Sequence, residues 1–193
     1  MELILASTSP YRRALLDRLG VSFRCLAPPV DEDRLKQDWP DISPRKLAER
    51  LAMAKARSVS AIVSEAVVIG CDQLVSLEGS ILGKPGTIEG AIAQLEQMSG
   101  RTHDLITAMV VVASAKTYAH INVTKLRMRE LTAAEVLRYV EFDRPIDCAG
   151  SYKLESRGIA LFDQIKSSDH SAITGLPLIA LTSILRKIGL AIP

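Results

Sequence analysis

Residues 3–20 read LILASTSPYRRALLDRLG, and this stretch contains the strand-to-helix transition that decides the fold class. The apolar LILA has the length of a buried strand. Ser9 and Pro10 then form a helix start, with serine as the N-cap and proline in the first turn. Apolar residues follow at helical spacing: Leu15, Leu16 and Leu19. Gly20 can end the helix in a left-handed conformation, so the stretch is typical of an α/β protein.

The rest of the chain repeats this alternation. Further apolar runs of strand length are VSFRCLA, AVVIGC, LITAMVVVA and HINVTKLRMR. Helical patterns are SPRKLAERLAMAKARSVSAI, TIEGAIAQLEQMSG, LTAAEVLRYVEF with a Thr132/Glu135 capping box, and a final helix from about Pro177 to Lys187. DEDRLKQDWPDISP is the most polar stretch and predicts a loop, and DCAGSYKLESRG is the least periodic. We expect an α/β fold with a mixed sheet flanked by helices.

Composition limits the classes of function. The 193 residues carry 24 Lys plus Arg against 22 Asp plus Glu, and 48% are hydrophobic. This suits one compact domain or two small lobes. The net charge of +2 excludes a global basic field for polymeric nucleic acid, so any polyanion site must be a local cluster.

The sequence also indicates where the protein is located and the redox state of its cysteines. The N-terminal MELILASTSP is unlike a secretory signal, and the longest apolar runs fall short of the ~20 residues that span a bilayer. We therefore expect a cytoplasmic protein with no membrane contact. The cysteines are odd in number and lie in apolar stretches: Cys25, Cys71 and Cys148. They predict reduced, buried thiols rather than disulfides or a zinc site.

Two arginines stand where the helix dipole disfavours cations. Arg12 and Arg13 lie in the first turn after the STS loop, beside unpaired backbone N–H groups. A bound phosphate would make this placement favourable, and the hydroxyls of Ser7 and Ser9 would add donors. The alternative is that both arginines reach solvent, or that Arg13 pairs with Asp17.

A predicted hairpin supplies further charges. If Glu78 and Gly79 form a two-residue turn, the register pairs Gln73 with Lys84 and brings Asp72 beside that lysine. A carboxylate there suits a metal ligand or general base beside a phosphate clamp. The alternative is an ion pair that merely stabilises the hairpin.

Isolated features give weaker signals. The acidic Asp31–Asp33 predicts a solvated loop when taken alone, although it could bring a second carboxylate to the same pocket. Lys55, taken alone, predicts a surface lysine on its helix. The three histidines lack the spacing of a catalytic triad or a zinc hydrolase.

Taken together, the motifs LILASTSPYRRALLDRLG, PVDED, LAMAKA, IGCDQLV, GKP, CAGSY and TGLPL resemble, in this order, the Maf family of nucleoside triphosphate pyrophosphatases. The resemblance covers nearly the whole chain and implies a single Maf-like domain over residues 1–193. It also implies the fold of the inosine triphosphate pyrophosphatases: an elongated mixed sheet with helices, and two lobes around a deep cleft.

The resemblance implies a role for each charged residue. It assigns triphosphate binding to Ser9, Arg12, Arg13, Lys55 and Lys84. It assigns a divalent cation, Mg²⁺ or Mn²⁺, to Glu32 and Asp72, with Asp72 also the proton acceptor. A triphosphate carries about four negative charges, so several cations and a metal are needed to neutralise it.

Three positions that contact the base within the family read Tyr11, Gln73 and Glu155. This pattern resembles the 7-methyl-GTP pyrophosphatase branch, in which tryptophan replaces the tyrosine. A cationic methylguanine can stack on an aromatic ring and pair with a carboxylate. The alternative for Glu155 is a loop ion pair with Arg157 or Lys153.

The expected reaction is hydrolysis of 7-methyl-GTP to the monophosphate and pyrophosphate by attack of water on the α-phosphorus. The alternatives are a dTTP/UTP pyrophosphatase and a non-enzymatic regulator of cell division (septum formation). The expected partner is a small nucleotide, and a homodimer is left open.

Overall fold

A seven-stranded mixed sheet with helices is the frame of the structure, a computed structural model that describes residues 2–63, 65–114 and 116–192. The strands are β1 Leu3–Ala6, β2 Arg24–Cys25, β3 Val67–Leu77, β4 Ser80–Leu82, β5 Thr102–Ala113, β6 Lys116–Met128 and β7 Phe162–Lys166. The α-helices are α1 Pro10–Asp17, α2 Glu32–Gln37, α3 Pro44–Ser60, α4 Ile88–Met98, α5 Ala133–Asp143 and α6 Leu178–Lys187. Short 3-10 helices span Ala149–Ser151, Arg157–Leu161 and His170–Thr174. The predicted fold class is confirmed.

The order of the strands reverses at β1. The sheet runs β2-β1-β3-β5-β6-β7, with β4 paired to β3. Strand β1 is parallel to both of its neighbours, and its last residue, Ala6, pairs with Gly70 of β3. The chain passes from β1 through α1 to β2 on one side, and then through α2 and α3 to β3 on the other. In α/β sheets, ligands bind at the carboxyl ends of strands where the order reverses in this way.

Helices cover both faces of this part of the sheet. On one face Val67, Ile69 and Cys71 pack in a buried cluster with leucines of α1 and α6. The opposite face meets α3 so closely that a Cβ atom on Gly70 would lie 2.4 Å from the carbonyl oxygen of Ala52. Only glycine fits there, which explains the small residue in the middle of a buried strand.

The chain divides into two compact units. The first comprises residues 1–73, 107–122 and 169–193, and the second comprises residues 74–106 and 123–168. In the second unit three rings form a buried cluster, His103, Tyr152 and Phe162, with His103 Nε2 3.1 Å from the Tyr152 hydroxyl. The single domain over residues 1–193 stays a prediction.

Most predicted helix boundaries are confirmed. The hydroxyl of Ser9 accepts a hydrogen bond from the backbone N–H of Arg12, and the Thr132/Glu135 capping box is formed. The final helix begins at Leu178, with Pro177 at its N-cap. Gly20 has φ +65°, but α1 itself ends at Asp17.

Two predicted segments are wrong. The polar stretch after Val30 is not wholly a loop, because the Asp31 carboxylate accepts a hydrogen bond from the backbone N–H of Arg34 and caps α2. VSFRCLA contributes only Arg24–Cys25 as strand, since among the described strands β2 pairs with β1 alone and lies at the edge of the sheet.

Membrane and cysteine predictions are tested in part. Across the described ranges, every helix is too short or too polar to cross a membrane. The three cysteines are free and Cys71 is buried, as predicted, but the prediction of burial is wrong for Cys25 and Cys148, which are half-buried. Burial raises the pKa of Cys71 to about 11, which keeps this thiol protonated and unreactive at neutral pH.

Candidate active site

The loop after β1 and the first turn of α1 form a row of donors at the strand reversal. The Ser7 hydroxyl oxygen is buried and accepts from the backbone N–H of Ser9 at 3.2 Å. It also accepts from an Arg12 guanidinium N–H at 3.4 Å. The loop and the first turn of α1 therefore place two serine hydroxyls and a guanidinium at the carboxyl end of β1, a donor set suited to an anion.

Arg12 is turned into the protein. Its Nε donates to the carbonyl oxygen of Gly175 at 3.1 Å. Gly175 has φ +109°, and a Cβ atom there would lie 3.2 Å from Arg12 Nε, so this close approach requires glycine. Arg13 is exposed. The alternative that both arginines reach solvent is therefore not observed for Arg12, whose guanidinium is held by Gly175 and Ser7.

A buried lysine joins two carboxylates. The Lys55 ammonium lies 2.7 Å from Asp72 Oδ1 and 2.9 Å from Glu32 Oε1. The side chains of Lys55 and Asp72 are only 7% and 6% exposed, whereas that of Glu32 is 41% exposed. The prediction of a surface lysine at position 55 is wrong, because carboxylates from β3 and α2 meet this buried ammonium. Glu32 keeps a partly exposed side chain but lies in α2 rather than in a loop.

Asp72 carries the unusual electrostatics of the site. Burial raises the pKa of its carboxyl above the ordinary value, and the charges of Lys55 and Arg12 oppose this rise. Its second oxygen, Oδ2, is buried and has no hydrogen-bond partner in the described part of the chain. Such an oxygen is costly to bury alone, so it points to a ligand that supplies a proton donor or a cation.

Gln73, the next residue of β3, faces the opposite side of the strand. Its Nε2 donates to Thr107 Oγ1 at 2.9 Å and to the carbonyl oxygens of Ala172 and Ile173 at 3.0 and 3.1 Å. The predicted pairing of Gln73 with Lys84 is not formed. The hairpin has the predicted register from Leu77–Ser80 to Val75–Leu82, but β4 ends at Leu82.

The donor set at Asp72 fits a hard divalent cation. Mg²⁺ and Mn²⁺ prefer oxygen ligands, and Mg²⁺ is typically held by one or two carboxylates together with substrate phosphates. Asp72 Oδ2 is available, and Glu32 shares the same ammonium. Within the described ranges no group of three or more His, Cys, Asp or Glu residues could hold a metal alone. Any cation here would therefore draw further ligands from substrate and water.

The other predicted site residues lie at the surface. Arg13, Lys84 and Glu155 are exposed, and Tyr11 is 42% exposed on α1. Lys84 and Glu155 belong to the second unit. Lys153 pairs with Asp147, and the Arg157 guanidinium lies over the Phe142 ring. The contacts described for these two loop cations do not include Glu155.

Sequence reasoning missed the partners of Arg12 and Gln73. These are the carbonyl oxygens of Ala172, Ile173 and Gly175 and the Thr107 hydroxyl. Backbone carbonyls carry no side-chain signal. The TGLPL motif was the only sign that this segment mattered.

Comparison with known proteins adds independent evidence. Residues 2–188 match the family described as Maf-like protein. A Bdellovibrio bacteriovorus protein named 7-methyl-GTP pyrophosphatase is 53% identical over 98% of each chain. Proteins of the same name from Xanthomonas axonopodis pv. citri and Aromatoleum aromaticum are 48% and 46% identical, over 99% and 100% of this chain and 98% of their own.

Among solved structures, the chain resembles the Ham1 protein of Staphylococcus aureus, with a TM-score of 0.55 and 13% identity over 97% of this chain and 100% of that one. At this identity the likeness concerns the fold alone. The family match and the nearly full-length relatives go further: this chain belongs to the Maf family.

Proposed function

We propose that this chain hydrolyses 7-methyl-GTP to 7-methyl-GMP and pyrophosphate. The observation that carries the chemistry is the buried Oδ2 of Asp72, which has no hydrogen-bond partner among the described residues. The other oxygen of this carboxylate meets the Lys55 ammonium, near the carboxyl end of β1. The substrate is suggested by the names of relatives that are 46–53% identical over nearly the whole chain.

The phosphates bind at the start of α1. The hydroxyls of Ser7 and Ser9 and the Arg12 guanidinium supply donors to the triphosphate. Arg12 already donates to Ser7 and Gly175, so little side-chain entropy is lost when a phosphate binds. Arg13 and Lys84, both exposed, add charge that neutralises the pyrophosphate.

Asp72 is the general base. Water attacks the α-phosphorus, one water proton passes to Asp72 Oδ2, and the bond from the α-phosphorus to the bridging oxygen breaks as pyrophosphate leaves. A carboxyl with a raised pKa accepts a proton near neutral pH more effectively than an ordinary aspartate. Lys55 holds Oδ1, which leaves Oδ2 to face the water.

Asp72 and Glu32 are also the residues that would hold Mg²⁺ or Mn²⁺. When bound, such a cation neutralises phosphate charge and polarises the phosphoryl oxygens. Lys55 contacts both carboxylates and keeps them together.

Base selection is assigned to Tyr11, Gln73 and Glu155. Tyr11 is 42% exposed and offers a ring face to a cationic purine. The Glu155 carboxylate is exposed, and the loop cations Lys153 and Arg157 are engaged elsewhere. It is therefore available to accept from the N1–H and the amino group of guanine, which thymine cannot match.

A nucleotide panel with product analysis tests this proposal. Purified protein with Mg²⁺ or Mn²⁺ should release pyrophosphate from 7-methyl-GTP with kcat/KM at least about tenfold above dTTP and UTP. Glu155→Gln combined with Gln73→Thr should erode this preference, and Arg127→Gln, which removes an exposed cation of β6, serves as the control.

Three outcomes would contradict parts of the proposal. Orthophosphate and a diphosphate as products would place the attack at the wrong phosphorus. Faster turnover of dTTP or UTP by the wild type would replace the substrate. A complete lack of hydrolysis across the panel would favour the non-enzymatic alternative.

A further inference from the structure

The amide group of Gln73 is surrounded by acceptors on its nitrogen side. Three oxygens lie within 2.9–3.1 Å of Nε2: Thr107 Oγ1 and the carbonyls of Ala172 and Ile173. The Thr107 hydroxyl proton is itself donated to the Ala172 carbonyl at 2.9 Å, so this hydroxyl offers Gln73 a lone pair. All three oxygens are therefore acceptors, and they share the two N–H protons of Gln73.

This environment fixes which way the amide points. A carbonyl oxygen cannot donate, so an amide rotated by 180° would place Oε1 against two carbonyl oxygens with no proton between them. That arrangement would lose the hydrogen bonds and add repulsion among the oxygens. Gln73 is thus held with its nitrogen inward.

The oxygen of the amide has a different environment. Among the described residues nothing donates to Gln73 Oε1, and this oxygen is not fully buried. Gln73 itself is half-buried. Oε1 is therefore an accessible acceptor held in one orientation.

Hydrogen bonds to Asp169 hold the segment that binds the amide, residues 169–178. The buried Asp169 carboxylate accepts from the backbone N–H and the hydroxyl of Ser171 through Oδ1, and from the backbone N–H of Ile179 through Oδ2. The Ser171 hydroxyl in turn accepts from the backbone N–H of Leu178. These bonds join the 3-10 helix of this segment to the start of α6, and so hold the carbonyls that meet Gln73 and Arg12.

We propose that residues 169–178 form a specificity clasp, which holds Gln73 with its Oε1 directed away from this segment. Because of this orientation, Gln73 selects substrates that present a hydrogen-bond donor to Oε1. Asp169 is the positioning residue of the clasp. This inference rests on the proposed function and deepens it. A nucleotide that places an N–H or O–H group against Gln73 Oε1 gains a hydrogen bond. A nucleotide that places an acceptor there is repelled by this oxygen.

Side-chain amide exchange measured by NMR tests the orientation without any substrate. The Nε2 protons of Gln73 should exchange slowly with water in the wild type and in Thr107→Ser, which keeps the hydroxyl. They should exchange at least about tenfold faster in Thr107→Val and in Asp169→Asn, because each variant removes acceptors or loosens the segment. Equal exchange in wild type and Thr107→Val would overturn the clasp, even if Asp169→Asn fails to fold.

Steady-state kinetics test whether Gln73 Oε1 contributes to substrate selection. Gln73→Met keeps the length of the side chain but removes the acceptor. It should raise KM for 7-methyl-GTP about 3–10-fold and leave kcat within about twofold, since the lost bond is made in both ground and transition states. An unchanged KM with intact hydrolysis would refute the acceptor role and leave the proposed function standing. Failure of the wild type to hydrolyse any nucleotide would contradict the proposed function, while the exchange data still decide the orientation of Gln73.

Discussion

Replacing Lys55 by methionine tests the electrostatic centre of the site most sharply. Methionine preserves length and apolar volume but removes the ammonium that lies 2.7 Å from Asp72 Oδ1. Asp72 would be left as a buried carboxylate without its cation. Removing one partner of a buried ion pair costs about 3–5 kcal/mol of the free energy of unfolding. Glu32 adds little to this figure, since its side chain is 41% exposed and exposed pairs contribute about 0–1 kcal/mol.

The loss should depend on pH in a defined direction. Burial raises the pKa of Asp72 in the folded protein above the unfolded value of 3.8, and loss of the ammonium raises it further. A carboxyl whose pKa is higher in the folded state destabilises that state progressively as pH rises from the unfolded pKa through the folded pKa. The cost of Lys55→Met is therefore smallest near about pH 4 and greatest at neutral pH and above.

Urea unfolding followed by circular dichroism, at about pH 5 and about pH 8, measures this cost. Lys46→Met, at an exposed lysine of the same helix, is the matched control and should change stability by less than about 0.5 kcal/mol. The double variant Lys55→Met/Asp72→Asn should recover much of the loss, because the uncompensated charge is gone. If Lys55→Met costs no more than the control, or if Asp72→Asn restores nothing, the account of this ion pair is wrong.

Further predictions concern catalysis, packing and acid stability. Asp72→Asn should lower kcat on the order of 10²-fold or more with an unchanged circular dichroism spectrum, and near-normal initial rates would refute its role as general base. Gly70→Ala should lower the free energy of unfolding, measured by thermal melts, by about 1–3 kcal/mol, because its Cβ would lie 2.4 Å from a helix carbonyl oxygen. Gly83→Ala, at a glycine with open space around it, serves as the control. Burial lowers the pKa of His103 from 6.5 to about 4, so this histidine costs stability as pH falls through that window, by up to roughly 3 kcal/mol. His103→Phe should flatten the pH dependence measured by urea unfolding, and a slope equal to that of the wild type would contradict this assignment.

The fold was largely predictable because its signals are local. A cap at Ser9, a capping box at Thr132 and apolar stripes of period 3.6 each involve neighbours within one element, and the structure contains them. Helix α2 was missed since it has only six residues, none of them buried, and so has no apolar stripe. Its start depends on one cap, the Asp31 carboxylate.

The candidate site was predictable only in part, because its contacts join distant segments. Lys55 looks like a surface residue in its own helix, and its burial follows from carboxylates on β3 and α2. The clasp around Gln73 is made of backbone carbonyls about 100 residues away along the chain, which no side-chain pattern reveals. The resemblance to the Maf family named the residues, and the structure supplies the contacts of Arg12, Lys55, Asp72 and Gln73. The catalytic and binding roles remain predictions.

Hydrolysis of 7-methyl-GTP in water enriched in oxygen-18 tests the central claim most directly, because the label marks the phosphorus that water attacks. We predict one oxygen-18 atom in 7-methyl-GMP and none in pyrophosphate, as mass spectrometry of the products would show, with the labelled product lost in Asp72→Asn. Label in pyrophosphate, or in orthophosphate released with a diphosphate, would contradict attack at the α-phosphorus and with it the function proposed for this site.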